Sequence, residues 1–331
     1  MRTFKDVIFV YGRHGCGAIM ACIQPAYCLN NSGVNSYAIF KNDFLKNFIN
    51  ISDSLIVLVK TDLSNGHLQY LKSKNNILVY HLGDRSESDI NLALNNNNYD
   101  VLLTHGDIYD NPKTKIIKHT YDLFLDKVSQ KFNKDSFNVL WCGNYSSCGK
   151  KVQGEFGLST AGIDYDKKLF QPLELYLNKF KKINSHEITK LVKSIIESPD
   201  TKVLNHINKE HNIVDYSLHY CVRTPYLSKF SYQVKSSTKL SQAIGCGSNI
   251  IVSLGPPERA IIDSSYRYAI NTETQEFKDK GEEICRDMLM RAKKEFGTKP
   301  WNDSLDYMAS RKKELHPLSF ARQIIKYAVD S

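Results

Sequence analysis

The sequence predicts an α/β protein built on parallel sheets, and three observations carry that reading. Apolar, strand-like runs alternate with helical patterns from residue 6 to residue 105, and repeated βα units close into a parallel sheet covered on both faces. A separate strand, polar loop, helix and strand follow one another between residues 212 and 254. The length of 331 residues, with 42% apolar content, is enough for two domains with two cores.

Asp6–Tyr11 reads as a buried first strand. It runs into Gly12-Arg13-His14-Gly15-Cys16-Gly17, whose glycines fall in the order Gly-x-x-Gly-x-Gly. That order is not the dinucleotide fingerprint. Gly12, Arg13 and Gly15 still make a loop in which a ligand can approach the backbone closely, the alternative being a tight βα turn without a ligand. Further strands are expected over 37–40, 54–60, 76–81 and 100–105, with helices near 66–72 and 87–94. The Asn-rich run 95–98 is a helix exit.

His14, His81 and His105 each follow or end one of these strands, so all three are expected at the carboxyl edge of one sheet. Ligands and general bases sit at such edges. A single strand-end histidine is more often structural. Three at one edge favour a chemical role for one of them, with Asp84 and Asp107 as rival bases.

The stretch 111–132 reads as polar and helical, and a strand over 137–142 opens a second domain. Its following loop, Gly143 to Lys151, resembles a phosphate-binding loop only superficially. Five residues separate Gly143 from Gly149 instead of four, and Lys151 stands where a Ser or Thr would bind magnesium. An ATPase is therefore excluded. Asp164-Tyr165-Asp166 lies between Ile163 and Lys167-Lys168 and reads as a charged turn, not a metal site.

The most informative stretch is 235–254. Lys235-Ser236-Ser237-Thr238-Lys239 runs into a helical pattern with Leu240, Ala243 and Ile244 on one face, and Gly245 and Gly247 end it before an apolar strand. Ser236, Ser237 or Thr238 is expected to cap the helix, which points the positive end of its dipole at the loop. Such a helix start, flanked by Lys235 and Lys239, suits a diphosphate; the plain alternative is a capped surface helix with solvated lysines. Arg223 ends the preceding strand and Glu258 follows the turn Gly255-Pro256-Pro257, so both reach the same edge. Amphipathic helices are expected near 173–180 and 187–197, from 275 to Gly297, and past Trp301, the last broken at Pro317.

Composition narrows the partners. The eight cysteines form no Cys-x2-Cys pair and lack a His-x3–5-His complement, so buried free thiols are expected. A formal charge of +9 points to acidic partners: nucleotide-sugars, an anionic membrane surface or nucleic acid. No window approaches the roughly 18–20 apolar residues of a membrane span, and the first residues lack a signal-peptide core. A cytoplasmic protein is expected, with peripheral membrane contact left open.

The order of a strand with Asp215, then Lys-Ser-Ser-Thr-Lys-Leu-x-Gln-Ala from Lys235, then Gly-x-Gly and an apolar strand resembles the C-terminal lobe of GT-B glycosyltransferases. Ser264-Ser265-Tyr266-Arg267-Tyr268, Phe296-Gly297, Pro300-Trp301 and the basic helix around 303–315 are similar to the ends of bacterial surface-glycan transferases of this class. The resemblance covers residues 212–330.

It implies two Rossmann-like domains facing across a cleft. Residues 1–135 would form the acceptor side, residues 136–300 would hold the nucleotide-sugar, and the helices of 301–331 would pack back on the first domain. By the same resemblance, Arg223, Lys235, Ser236, Ser237, Thr238 and Lys239 bind the donor diphosphate, Gln242 and Glu258 the ribose or sugar, and Gly143 lies close to the donor sugar. His14, in the loop facing the partner domain, becomes the first choice of base.

The pattern departs from the family in one place: where retaining members carry Glu-x7-Glu, this chain has Val234 and Gln242, which favours inversion. The implied activity is metal-independent transfer from a nucleotide-diphospho-sugar to a hydroxyl of a glycan or lipid-linked glycan, without a cofactor. A DNA-base acceptor, a nucleotide-sugar epimerase and a non-catalytic nucleotide-binding module are the alternatives.

Overall fold

The computed structural model describes residues 3–13, 16–83, 85–107, 109–123, 125, 126, 137, 139–141, 216–223, 225 and 229–331. The first domain alternates strands and helices in chain order: β1 (Val7–Tyr11), α1 (Gln24–Asn31), β2 (Ser36–Phe40), α2 (Lys41–Asn47), β3 (Leu55–Val59), α3 (Asn65–Ser73), β4 (Ile77–His81), α4 (Glu87–Leu94), β5 (Val101–Thr104) and β6 (Thr114–Ile116). They form a six-stranded sheet in the order β2-β1-β3-β4-β5-β6, every pair parallel.

Alternate residues of these strands feed two cores, because successive side chains of a strand point to opposite faces. Val7, Phe9, Val57 and Val79 lie in one, and Ile8, Val10, Ile56, Leu58 and Leu78 in the other. Burial on both faces is why β1, β3 and β4 read as unbroken apolar runs. Ser64 and Ser86 cap α3 and α4 by accepting from the backbone N–H groups of His67 and Asp89.

The expected polar, helical stretch after residue 111 is corrected at its start. Thr114–Ile116 is a strand on the sheet's edge, half-buried and three residues long. So short a segment has no periodicity to read.

The rest of the chain contributes β7 (Val139–Trp141), β8 (Leu218–Cys221), α5 (Lys229–Val234), α6 (Thr238–Cys246), β9 (Asn249–Ser253), α7 (Pro256–Arg259), β10 (Ala269–Ile270), α8 (Gln275–Glu295) and α9 (Lys299–Lys312) of the second domain, and a last helix, α10 (Pro317–Val329). Its described strands pair in parallel in the order β10-β9-β8-β7. Gly247 ends α6 with φ of 64°, the left-handed cap that glycine adopts without a Cβ penalty.

The last two helices go to different domains. Trp301 and Met308 of α9 are buried in the second core with Ile250 and Val252. Phe320, Ala321, Ile324 and Ala328 of α10 are buried in the first core with Val7 and Phe9. The crossing therefore falls at His316-Pro317, not at residue 301, with Pro317 in the first turn of α10, where its missing N–H costs nothing.

Candidate active site

The carboxyl edges of the two parallel sheets meet. Gly106 follows β5, and a Cβ placed on it would lie 2.8 Å from Cβ of Pro256, in the turn after β9. Across the same junction His119 Nε2 stands 3.2 Å from Thr238 Oγ1, in the first turn of α6.

On the second domain, β8 delivers Arg223 to this edge. Its backbone N–H donates to Ser253 Oγ at 2.9 Å and its Nη1 to the Lys235 carbonyl at 3.0 Å, while Nη2 pairs with the Glu258 carboxylate. Glu258 is 1% exposed, and its second oxygen, Oε2, has no partner among the described residues; neither has Arg223 Nε. A buried carboxylate oxygen left open is costly, and a ligand hydroxyl is a donor that satisfies it.

The helix start differs from the expected capped one. Ser237 occupies the N-cap position but makes no side-chain cap, and its hydroxyl is buried without a hydrogen-bond partner among the described residues. Ser236 and Thr238 bond each other at 2.8 Å instead. Lys235 is exposed and Lys239 half-buried beside them. Arg223, the three hydroxyl residues and both lysines are thus brought to one edge.

Gln242 is not. It is fully buried, its amide nitrogen donates to Met20 Sδ at 2.9 Å, and its oxygen accepts from the Asp122 N–H at 3.4 Å. The expected ribose contact is therefore corrected for the conformation described: helical periodicity turned this side chain into the seam between domains. That seam continues through Gln24, whose amide donates to Asp122 Oδ1 at 2.6 Å and accepts from the Leu123 N–H at 3.3 Å. Gln24 directly follows a π-helical turn, Ile19–Ile23, which carries Met20.

On the first domain, His81 and His105 lie together, with ring centroids 5.0 Å apart and near-perpendicular planes. His81 is 2% exposed, neither ring nitrogen has a partner among the described residues, and Phe320 packs edge-on against it. Burial, followed by the charges of His105, Lys60 and His119, pushes its pKa well below the ordinary imidazole range. It is held neutral. The His105 Nδ1 lies 3.0 Å from the Ile117 carbonyl, so that nitrogen carries the proton.

Lys60, immediately beyond β3, has φ of 49°, a left-handed backbone that a lysine adopts only under constraint. Asp107 and Arg13 are exposed, and Gly12 sits so close to Thr61 that a Cβ there would be 2.9 Å from Oγ1. His14, Gly15, Asp84, Gly143 and the Asp164/Asp166 pair lie outside the described residues. Among the described residues no three His, Cys, Asp or Glu groups gather as metal ligands, and Cys22, Cys28 and Cys221 are buried free thiols.

Sequence reasoning missed His119. Its ring lies 5.4 Å from that of His105, its Nδ1 is 2.8 Å from the Thr120 carbonyl, and its own carbonyl accepts from Ser241 Oγ at 2.7 Å. The one available signal was the polar run Lys118-His119-Thr120-Tyr121-Asp122 directly after an apolar pair, Ile116-Ile117.

No family model and no curated protein matches the chain. Solved structures do. The Anabaena HepE structure in complex with UDP superposes with a TM-score of 0.53 at 10% identity, over 98% of this chain and 100% of that one. A glycosyltransferase from Rickettsia africae gives 0.52 at 10% identity, over 99% and 98%. The fold is GT-B. The junction of sheet edges described above is thus the interdomain cleft of a GT-B chain, with Arg223, Lys235 and the start of α6 on one wall and the three histidines behind the other.

Proposed function

We propose that this chain is a glycosyltransferase that moves a sugar from a nucleotide-diphospho-sugar to an acceptor hydroxyl. The observation that carries the reading is the set of open polar groups at the cleft: Ser237 Oγ, Arg223 Nε and Glu258 Oε2, buried without partners among the described residues beside the exposed Lys235. Cationic and hydroxyl donors at a helix start match a diphosphate, and an open carboxylate oxygen matches a ribose or sugar hydroxyl. Support comes from HepE, whose crystals hold UDP or UDP-glucose on the same fold.

In this reading the negative charge that builds on the departing diphosphate is stabilised by Arg223, Lys235, Lys239 and the dipole of α6. These groups supply the neutralisation a divalent metal would otherwise give. The acceptor, a glycan or lipid-linked glycan, enters over the first sheet's edge, and His14, His105 or Asp107 takes its proton in an inverting displacement. His81 is packed behind His105 and Phe320. Among the described residues no helix is long and apolar enough to cross a membrane, so a lipid-linked acceptor would be met at a surface.

A thermal-shift screen against UDP, GDP, CMP, dTDP and their common sugars tests the donor site. One nucleotide family raises the melting temperature of the wild type, because a ligand that binds only the native state stabilises it by mass action, and the Lys235→Ala/Lys239→Ala variant loses the rise. No shift with any nucleotide near millimolar concentration would overturn the assignment.

A further inference from the structure

A hydrogen-bonded chain runs from the start of α6 into the first domain. Ser236 Oγ lies 2.8 Å from Thr238 Oγ1, Thr238 Oγ1 lies 3.2 Å from His119 Nε2, and His119 Nδ1 lies 2.8 Å from the Thr120 carbonyl. The carbonyl end fixes the direction. A carbonyl only accepts, so Nδ1 carries a proton, and in the neutral ring Nε2 is bare and must accept. Thr238 then spends its hydroxyl proton on His119, and Ser236 spends its own on Thr238. Both hydroxyls point their donors inward, away from any anion at the helix start.

One proton taken up from solvent by His119 reverses the chain. Nε2–H donates to Thr238 Oγ1, Thr238 donates to Ser236, and the Ser236 O–H, keeping its proton, turns to donate toward the loop, with a full positive charge behind it. We propose that His119 is a positioning residue whose protonation sets the direction of this chain, so that it acts as a proton-coupled latch for the diphosphate of a bound nucleotide. The inference rests on the donor-site reading given above. A second observation at the same place is the hydroxyl of Ser237, buried without a partner among the described residues, between the two linked side chains.

The surroundings of His119 set how readily it takes the proton. The His105 ring at 5.4 Å faces it from the first sheet, and His81 lies beyond at 5.0 Å from His105, with Lys60 acting on His81. On its own segment Lys118 is paired with Glu314, and Asp122 is bonded to Gln24. From the second domain come Lys235 and Lys239 and the Arg223–Glu258 pair. The cationic groups oppose protonation in the empty site. A diphosphate dianion adds the opposite charge, so nucleotide binding and proton uptake by His119 favour each other.

The test is titration calorimetry with UDP-glucose, a diphosphate diester that does not itself titrate near neutrality, in buffers of different ionisation enthalpy. Between about pH 5 and 8, where an imidazole changes charge, wild type is expected to take up a fraction of a proton on binding and to bind about five- to tenfold tighter at the acid end. In His119→Gln the amide donates at every pH, so the pH dependence and the proton uptake disappear while binding remains. Thr238→Val keeps His119 but cuts the chain and is expected to reduce the uptake to what the charge of the diphosphate alone sustains.

Melting curves verify that both variants fold, and a variant that does not fold leaves the other to decide. Wild-type binding without proton uptake, or with uptake unchanged in a folded variant, overturns the latch and leaves the donor site standing. Absence of binding to UDP-glucose and to every other nucleotide-sugar of the screen overturns both.

Discussion

Gly106 and Pro256 touch across the two domains so tightly that even a methyl group on Gly106 would press within 2.8 Å of the proline ring carbon and 3.1 Å of its carbonyl carbon. A proline ring and a backbone carbonyl do not step aside as a lysine tip would. Gly106 is also tied locally, its carbonyl accepting from Thr104 Oγ1 at 3.1 Å. Gly106→Val is therefore expected to destabilise by about 1–3 kcal/mol or to part the two sheet edges. Urea denaturation and small-angle scattering read the two outcomes, and an unchanged midpoint with an unchanged radius of gyration would show that the domains do not meet here in solution.

Arg223 and Glu258 form an ion pair in which the carboxylate is 1% exposed and the guanidinium side chain 19%. Removing only the cation strands a buried negative charge. Arg223→Ala should cost about 2–4 kcal/mol, somewhat less than breaking a fully enclosed pair. Adding Glu258→Gln should recover part of that loss, and a double-mutant cycle by chemical denaturation measures it.

His81 gives a pH prediction whose sign follows from its burial. Its folded pKa is depressed, so on acidification the unfolded chain binds a proton before the native one does. Stability is lost as pH falls below about 6.5, the value of an unperturbed imidazole, toward the depressed folded pKa. His81→Leu should flatten this slope and change stability at pH 8 by less than about 1 kcal/mol, since neither ring nitrogen has a partner to lose among the described residues. Melting temperatures measured from pH 8 to pH 5 check both parts.

Glu295, at the end of α8, accepts from Arg267 Nε at 2.7 Å and Nη2 at 2.5 Å, from the Tyr268 hydroxyl at 3.0 Å and from Arg291 Nε at 3.2 Å. The Arg267 hydrogen bonds, foremost, bring its pKa down to about 2. A depressed carboxylate stabilises the fold above its unfolded pKa and loses that contribution as pH falls toward the folded value. Glu295→Gln is expected to cost about 2–3 kcal/mol at pH 7, with the difference from wild type shrinking below about pH 4. A constant difference down to pH 3, by urea denaturation, would contradict the assigned network.

Most of the architecture was legible in the sequence because its signals are local. Buried parallel strands announce themselves as apolar runs, as in Leu55–Val59 and Ile77–His81, and Gly247 marks the end of α6 through a backbone conformation that favours glycine. The gathering of Arg223, Lys235, Ser236–Thr238 and Glu258 was legible too, since consecutive βα units bring strand ends and helix starts to one edge.

What only the tertiary structure decided lies between the domains. Which face of α6 meets the cleft depends on a helix packed from another part of the chain, so Gln242 is found bonded to Met20 and Asp122. The link from His119 to Thr238 spans 119 residues, and Gly106 meets Pro256 across a still longer separation. The last helix joins the first core although it adjoins the second in sequence. Periodicity and capping act over a few residues, whereas these contacts are set by how two folded surfaces fit together, and no local pattern in the chain encodes that.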